Sequence, residues 1–385
     1  MRKLKNTNGS ALLVVLALVL LIFAVGVITL DTANTDIELS YNQLHEDQAF
    51  YIAEAGAKQA WFTLNDSSSW RAGYSDHAFG DGAFSVSVRD SSSDSALQDT
   101  LIVTSTAVVD GSRAAIELTL APIIIHPFTY ALFAKNSVDM KNSFGTDSYN
   151  SDSGTYATTQ TMQSGDVGSN GLITIANATI IGGNVSTALT GGASVHWGAT
   201  VTGAVSDSLP EQEIPDVPDA EFDLARTTSA APAGLSGSYT YDPSTKALQS
   251  TGPFTLASGV YYFSSIVLFN SAELIVAPGA HVTIYMTGNL EMKNSAAMNT
   301  AGVPDDLMIY SKGNFVLKNS GDIKGTLYSP NGDAQLMNSG QFYGSVVANN
   351  IVCDNGGRFH YDRNLSKKKR NSPDGFSIAA WKERY

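Results

Sequence analysis

The stretch NTNGSALLVVLALVLLIFAVGVITLDTANTDIELS, residues 6–40, holds twenty successive residues, Ala11 through Leu30, without a charge, and then Asp31. A helix rising about 1.5 Å per residue needs roughly that length to cross a hydrocarbon layer about 30 Å thick. The apolar core of a secretory signal is shorter, roughly 7–15 residues, and ends in small residues suited to cleavage. Asp31, Thr32, Ala33 and Asn34 match that ending poorly, so the run reads as a membrane-spanning helix. Arg2, Lys3 and Lys5 precede it, and no Lys or Arg recurs before Lys58. Asp31, Asp36, Glu38, Glu46, Asp47 and Glu54 fill the interval. Bases on one side alone place the N-terminus in the cytoplasm, at the inner membrane, and everything after Leu30 outside.

The helix continues past the membrane boundary. The first proline is Pro122, and Gly56 is the only glycine between Asp31 and Leu64. Ile37, Tyr41, Leu44, Tyr51, Ile52 and Ala55 recur at helical spacings and mark one apolar stripe. The pattern predicts one helix from Ser10 to about Asn65, roughly 80 Å long. Half of it lies in lipid, and the other half is amphipathic and needs a globular partner.

This segment resembles the N-termini of type IV pilins and pseudopilins, PilX-type minor pilins in particular. It has a short basic leader ending in Gly9, the small residue Ser10, an uninterrupted apolar helix, and QAFYIAEAG at 48–56. The matching residues of that motif are Gln48, Ala49, Phe50, Ala53, Glu54, Ala55 and Gly56. The resemblance covers about the first 60 residues. It implies that a membrane-embedded prepilin peptidase cuts between Gly9 and Ser10 and methylates the new amine. It also implies that the major pilin and other minor pilins are the partners. Major pilins carry a glutamate five residues into the mature chain, where it pairs with a neighbour's terminal amine; here that place is Val14. The departure points to a minor component, at the start or tip of a filament. A plain uncleaved anchor is the alternative.

Beyond about residue 65, Gly, Ser, Thr and Asn crowd the chain, and only 15% of all residues are charged. That mixture suits short strands and tight turns. Phe84, Val86 and Val88 alternate with polar residues, as do Ile116, Leu118 and Leu120, with LIVTSTAVV at 101–109 and the turn DGSR between them. These predict a three-stranded antiparallel meander covering the outer half of the helix. From about Phe128 the chain repeats itself. KNSGDIKG (318–325) is echoed by MNSGQFYG (337–344), DNGGRFHY (354–361), LEMKNSAAM (290–298) and VDMKNSFG (138–145). Asn270, Asn294, Asn319, Asn338 and Asn355 are 24, 25, 19 and 17 residues apart. Such spacing fits the coils of a β-solenoid whose corners use Asn and Gly, with Val282, Ile284, Met286, Phe315 and Leu317 pointing inward. The irregular spacing leaves a β-sandwich as the competing arrangement. The last coils, through RFHYDRNL and AAWKERY, more loosely resemble an uncharacterised domain often joined to PilX-type N-termini.

Little in the chain points to chemistry. A net charge of −13 excludes nucleic acid as a bulk electrostatic partner. SKKKR at 366–370 reads as a solvated tail. The single cysteine, Cys353, sits in an apolar run and reads as a buried small hydrophobe. Six scattered histidines form no zinc motif, and His360 reads as a packing or capping group of the terminal coil. SLPEQEIPDVPDAEFD at 208–223 has neither spacing nor repeat for calcium and reads as an excursion from the solenoid. No catalytic residue, cofactor or metal site is predicted. The fold class is mainly β with one long N-terminal helix: leader 1–9, assembly helix 10–66, small antiparallel sheet 67–121, β-solenoid 122–366 and a C-terminal tail 367–385. The function this favours is a structural minor pilin or pseudopilin-like component of a filament machine, displayed on a pilus or cell surface with a possible extracellular ligand. The alternatives are a membrane-anchored solenoid that binds or cleaves a polysaccharide, and a surface adhesin with no machine attached.

Overall fold

The computed structural model describes residues 8–384 apart from residues 91, 94–96, 98, 99 and 338, with only the backbone described at 8–11, 319 and 370–374. Leader positions 1–7, with Arg2, Lys3 and Lys5, and the repeat residue Asn338 therefore lie outside the described residues. The chain forms two compact units. One runs to Ile123 and takes the chain back from Asp374, and the other is Ile124–Pro373.

In the first unit a single 59-residue helix, Asn8–Asp66, meets the expected bounds within two residues at each end. Five strands share one sheet, Tyr74–Phe79, Gly82–Arg89, Leu101–Val109, Ser112–Ile125 and Arg370–Arg384, neighbours in that order, the first four paired antiparallel. Phe84, Val86, Leu101, Val103, Ala107, Val109, Ile116, Leu118 and Leu120 form one buried core with Ala49, Ile52, Ala53, Ala57, Ala60 and Leu64 of the helix. Asp110 and Gly111 both take positive φ, 45° and 87°, the tight turn whose twist matches its flanking strands.

Three differences from the sequence reading have physical causes. The sheet has five strands rather than three, because Tyr74–Phe79 is an exposed edge with no alternation to betray it. The supposed C-terminal tail is itself a strand, Arg370–Arg384, paired beside one more than 200 residues earlier in the chain. Finally, the sheet covers only part of the apolar stripe: Ile52 is buried and Ala55 half-buried, whereas Ile37, Tyr41, Leu44 and Tyr51 are exposed, and small residues supply most of the packing.

The second unit is a three-sided parallel solenoid. Gly259–Phe263, Ser265–Leu268 and Glu273–Val276 pair in parallel with Val282–Met286, Leu290–Asn294 and Ala297–Met298, respectively. These in turn pair with Leu307–Ser311, Phe315–Asn319 and Ile323–Ser329. The parallel ladders exclude the sandwich. Inward side chains from every coil, the five named above among them, form one continuous core.

The stack does not follow chain order. The first coil, Leu132–Met140 with Gly145–Tyr149, lies against the last, Gln341–Cys353 with Arg358–Asp362. Its other side carries Val167–Ser169, Leu172–Ile175 and Ile180–Ile181. From there the chain winds through Val185–Thr187, Ala193–Val195 and Thr200–Val201 to Val205–Ser206, where that end of the stack stops. Residues 207–234, including a helix at Asp219–Thr228, return it to the opposite end. There Leu235–Gly237 and Thr240–Asp242 fold back antiparallel on Pro253–Leu256 and Ala247–Ser250, and the remaining coils wind back toward the first. The acidic excursion is thus the return path. Tyr285 Oη donates to Glu221 at 2.9 Å, Tyr328 Oη donates to the Pro215 carbonyl at 2.6 Å, and Phe222 is buried against Tyr285.

The asparagine spacing is a corner ladder. Asn270, Asn294, Asn355, Asn142 and Asn177 hold φ between 54° and 67°. Asn294 Nδ2 donates to Asn270 Oδ1 at 3.1 Å, and Asn177 Nδ2 to Asn142 Oδ1 at 3.2 Å. The upstream echo at 138–145 shares the repeat because it is the next rung in space. Gly344, at φ 146°, sits where a Cβ would lie 1.8 Å from the Gly325 carbonyl oxygen. Gly344→Ala therefore forces backbone apart inside the ladder, and we expect a loss of about 3 kcal/mol or more in denaturant unfolding of the detergent-solubilised chain.

Candidate functional site

The motif residues of the helix fall at its seam with the sheet. Ala49, Ala53, Ala57 and Ala60 are buried, and at Gly56 an added Cβ would come within 2.6 Å of both Phe84 Cδ2 and Ser105 Oγ. Small residues here let a sheet lie close on a helix. Glu54 is half-buried and pairs with Lys58 one turn on, at 2.8 Å. Phe50 meets the Trp381 ring edge-on with centroids 5.9 Å apart, while Gln48 and Ala55 are half-buried beside the seam. Gly9 and Ser10 lie in the first turn of the helix. The helix is exposed from Leu12 through Leu30, long and apolar enough to cross a membrane.

The C-terminal strand closes the seam, a contact the sequence reading missed. Trp61 Nε1 donates to the Phe376 carbonyl at 2.6 Å, and the Phe376 amide donates to Asn65 Oδ1 at 2.9 Å. Arg384 reaches the buried Glu117 carboxylate at 2.6 Å, with Arg89 at 3.9 Å. No local pattern links residues that lie up to 315 positions apart.

A second cluster lies on one solenoid face. The column Lys324, Tyr343, His360 and Asp147 runs across four successive coils by register. His360 is buried, with Nδ1 2.6 Å from Asp147 Oδ1 and Nε2 2.6 Å from Gln341 Oε1. Its ring packs against those of Tyr156, 4.2 Å away, and Tyr343, 4.6 Å away, which also meet each other edge-on at 5.5 Å. Tyr156 Oη donates to Asp147 Oδ2 at 2.6 Å; burial first, then that carboxylate, raises the hydroxyl's pKa above its ordinary range. Burial likewise raises Tyr343 and lowers Lys324. His360 is therefore a packing residue, but within the stack rather than at a terminal coil, because the first coil lies against it. The column was findable: aligning DIKG, QFYG, RFHY and GTDS places these four residues in one position. Cys353 is buried, and burial pushes its thiol well above the usual range.

Among known proteins, the family model described as a domain of unknown function (DUF7305) matches residues 236–368. No curated protein matches the chain. Among solved structures, the chain is similar to the competence-associated pilin ComZ from Thermus thermophilus. That alignment has 13% identity and a TM-score of 0.36, and covers 88% of this chain and 97% of that one. It is also similar to an ice-binding protein from Antarctomyces psychrotrophicus, at 14% identity and a TM-score of 0.36, covering 62% of this chain and 96% of that one. A Shewanella frigidimarina ice-binding protein domain aligns at 13% identity and a TM-score of 0.33, over 63% of this chain and 98% of the other.

Two substitutions test the seam. In Gly56→Val the overpacking against Phe84 and Ser105 is expected to cost about 2 kcal/mol. In Gly56→Ala the helix-propensity gain of about 1 kcal/mol offsets much of the loss, so thermal unfolding should rank glycine and alanine well above valine. Arg384→Ala leaves Glu117 buried with its nearer base gone. Because Arg384 is half-exposed and Arg89 remains, the expected loss is about 1–2 kcal/mol, read by thermal unfolding and by faster proteolysis of the C-terminal strand.

Proposed function

We propose that this chain is a minor pilin-like subunit of a type IV filament machine, present at low copy at the start or tip of a filament and displaying its solenoid there. The observation that carries the reading is the helix Asn8–Asp66. One end is exposed and apolar on all sides, and the other is clamped to a small sheet through a face of alanine and glycine. That division of one helix between lipid and a globular head suits a subunit that is first anchored and then extracted into a bundle of like helices. Ile37, Tyr41, Leu44 and Tyr51, left uncovered by its own sheet, supply the face for neighbouring helices.

In this reading a prepilin peptidase removes the leader after Gly9, and Ser10 becomes the methylated terminus. Val14 offers a preceding subunit no carboxylate for its terminal amine, a charge-assisted bond whose value rises in lipid. A subunit at the tip has no such neighbour to satisfy. We further infer that the chain has no enzymatic role. Both nitrogens of His360 are engaged, and Asp147 is held by Tyr156, so the polar column serves to fix coils and their covering loop.

Quantitative mass spectrometry of sheared filaments tests the reading. We expect a chain beginning at methylated Ser10, at a small fraction of the major subunit. An intact leader in a host with active prepilin peptidase, or abundance equal to the major subunit, overturns it. Gly9→Ala should retain membrane insertion and abolish recovery in filaments.

A further inference from the structure

We propose that the open end of the solenoid, the coil spanning residues 185–206, is a self-association face that joins two copies of this chain end to end. The strands Ala193–Val195, Thr200–Val201 and Val205–Ser206 each pair on one side only among the described residues. Their outer edges present backbone donors and acceptors to whatever lies beyond. The opposite end is built differently: there 235–242 fold back antiparallel on the stack.

Edge strands in monomeric proteins are ordinarily blunted by charge, proline, bulges or a covering segment. None of the first two is present here: between Asp166 and Asp207 the chain has no Asp, Glu, Lys, Arg or Pro. In their place the coil exposes Leu189, Val195 and Val205, and Trp197 is 98% exposed. A tryptophan left wholly in water beside unpaired strand edges is a poor surface residue and a good interface anchor.

Charge selects the occupant. The chain carries −13 overall, so two copies repel wherever their carboxylates face one another. The strands of this end carry no charge, and the nearest carboxylate, Asp207, accepts from the Gly191 amide at 2.8 Å, so two copies meet here with little of that cost. Placing like end on like end about a two-fold axis also turns the facing strands antiparallel, a pairing short edge strands accept. Ser194, at the middle of its strand and exposed, then faces the same strand of the other copy.

Cysteine cross-linking of the full chain in detergent micelles tests this, with the buried Cys353 leaving the background low. Under mild oxidation Ser194→Cys should form disulfide-linked dimers at least tenfold faster than Ser244→Cys, which sits on the exposed turn at the opposite end. Adding Val195→Lys and Val205→Lys should lower that yield at least tenfold while the thermal transition is retained. Trp197→Ser, which leaves the strands untouched, should lower it as well. Equal cross-linking at the two ends, no dimer with Ser194→Cys, or a yield indifferent to both the lysines and Trp197→Ser overturns the proposal. A dimer seen by sedimentation without the Ser194 cross-link also overturns it, because the contact then lies elsewhere, as on the helix.

Discussion

A solenoid coil buries its inward side chains only when another coil lies on each side of it, and this constraint governs the second unit. The coil Leu132–Tyr149 is first in the chain yet has neighbours on both faces, so no coil that follows it can simply continue in one direction. The chain winds one way, stops, and must travel back outside the stack to begin again at the other end. The return segment needs a surface to run along. The ladder Tyr262, Tyr285, Tyr310 and Tyr328 provides one, with register pairing each ring to the next. Arg226 over Tyr262 and Lys312 over Phe222 add cation–π contacts to the same seam.

The same stacking order explains the unexpected fifth strand of the first sheet. Because the first and last coils are neighbours, the segments entering and leaving the stack run side by side, with His126 Nδ1 3.1 Å from the Ser366 carbonyl. The strand going in, Ser112–Ile125, and the strand coming out, Arg370–Arg384, can then pair in one sheet. A C-terminus that a simple solenoid would leave at the far end is thereby brought back to the helix, where Trp61 and Asn65 hold it.

What the sequence disclosed, it disclosed through short-range periodicity. The helix was readable from an uninterrupted apolar run and the absence of proline. The coils were readable from Asn recurring at one corner, as at Asn270, Asn294 and Asn355, because a left-handed backbone restricts residue choice wherever it occurs. The stacking order was hidden, since parallel register between residues such as His360 and Asp147 depends on a return path with no periodicity of its own. The resemblance of 138–145 to repeats two hundred residues later was a real clue: an echo so distant in sequence marks adjacency in space. The helix face was in part misread, because size alone does not set burial there: Ile52 of the stripe is buried, but Tyr41, Leu44 and Tyr51 are not. Ala49, Ala53 and Ala57 attract no notice in a hydropathy pattern, yet they are what a close helix–sheet contact requires.

That misreading bears on how the helix divides its work. A seam of alanine and glycine brings backbone and ring close, as at Gly56, and gains its stability from contact density rather than from large side chains. The larger apolar groups, Ile37, Leu39, Tyr41, Leu44 and Tyr51, are thereby left free on the outer half of the same helix. A helix that sets mostly small residues against its own sheet and leaves most of its large ones exposed fits the proposed assembly through the helix. The uncharged strands of the open coil follow the same logic: both surfaces leave apolar groups uncovered where a self-contained protein would have placed charge.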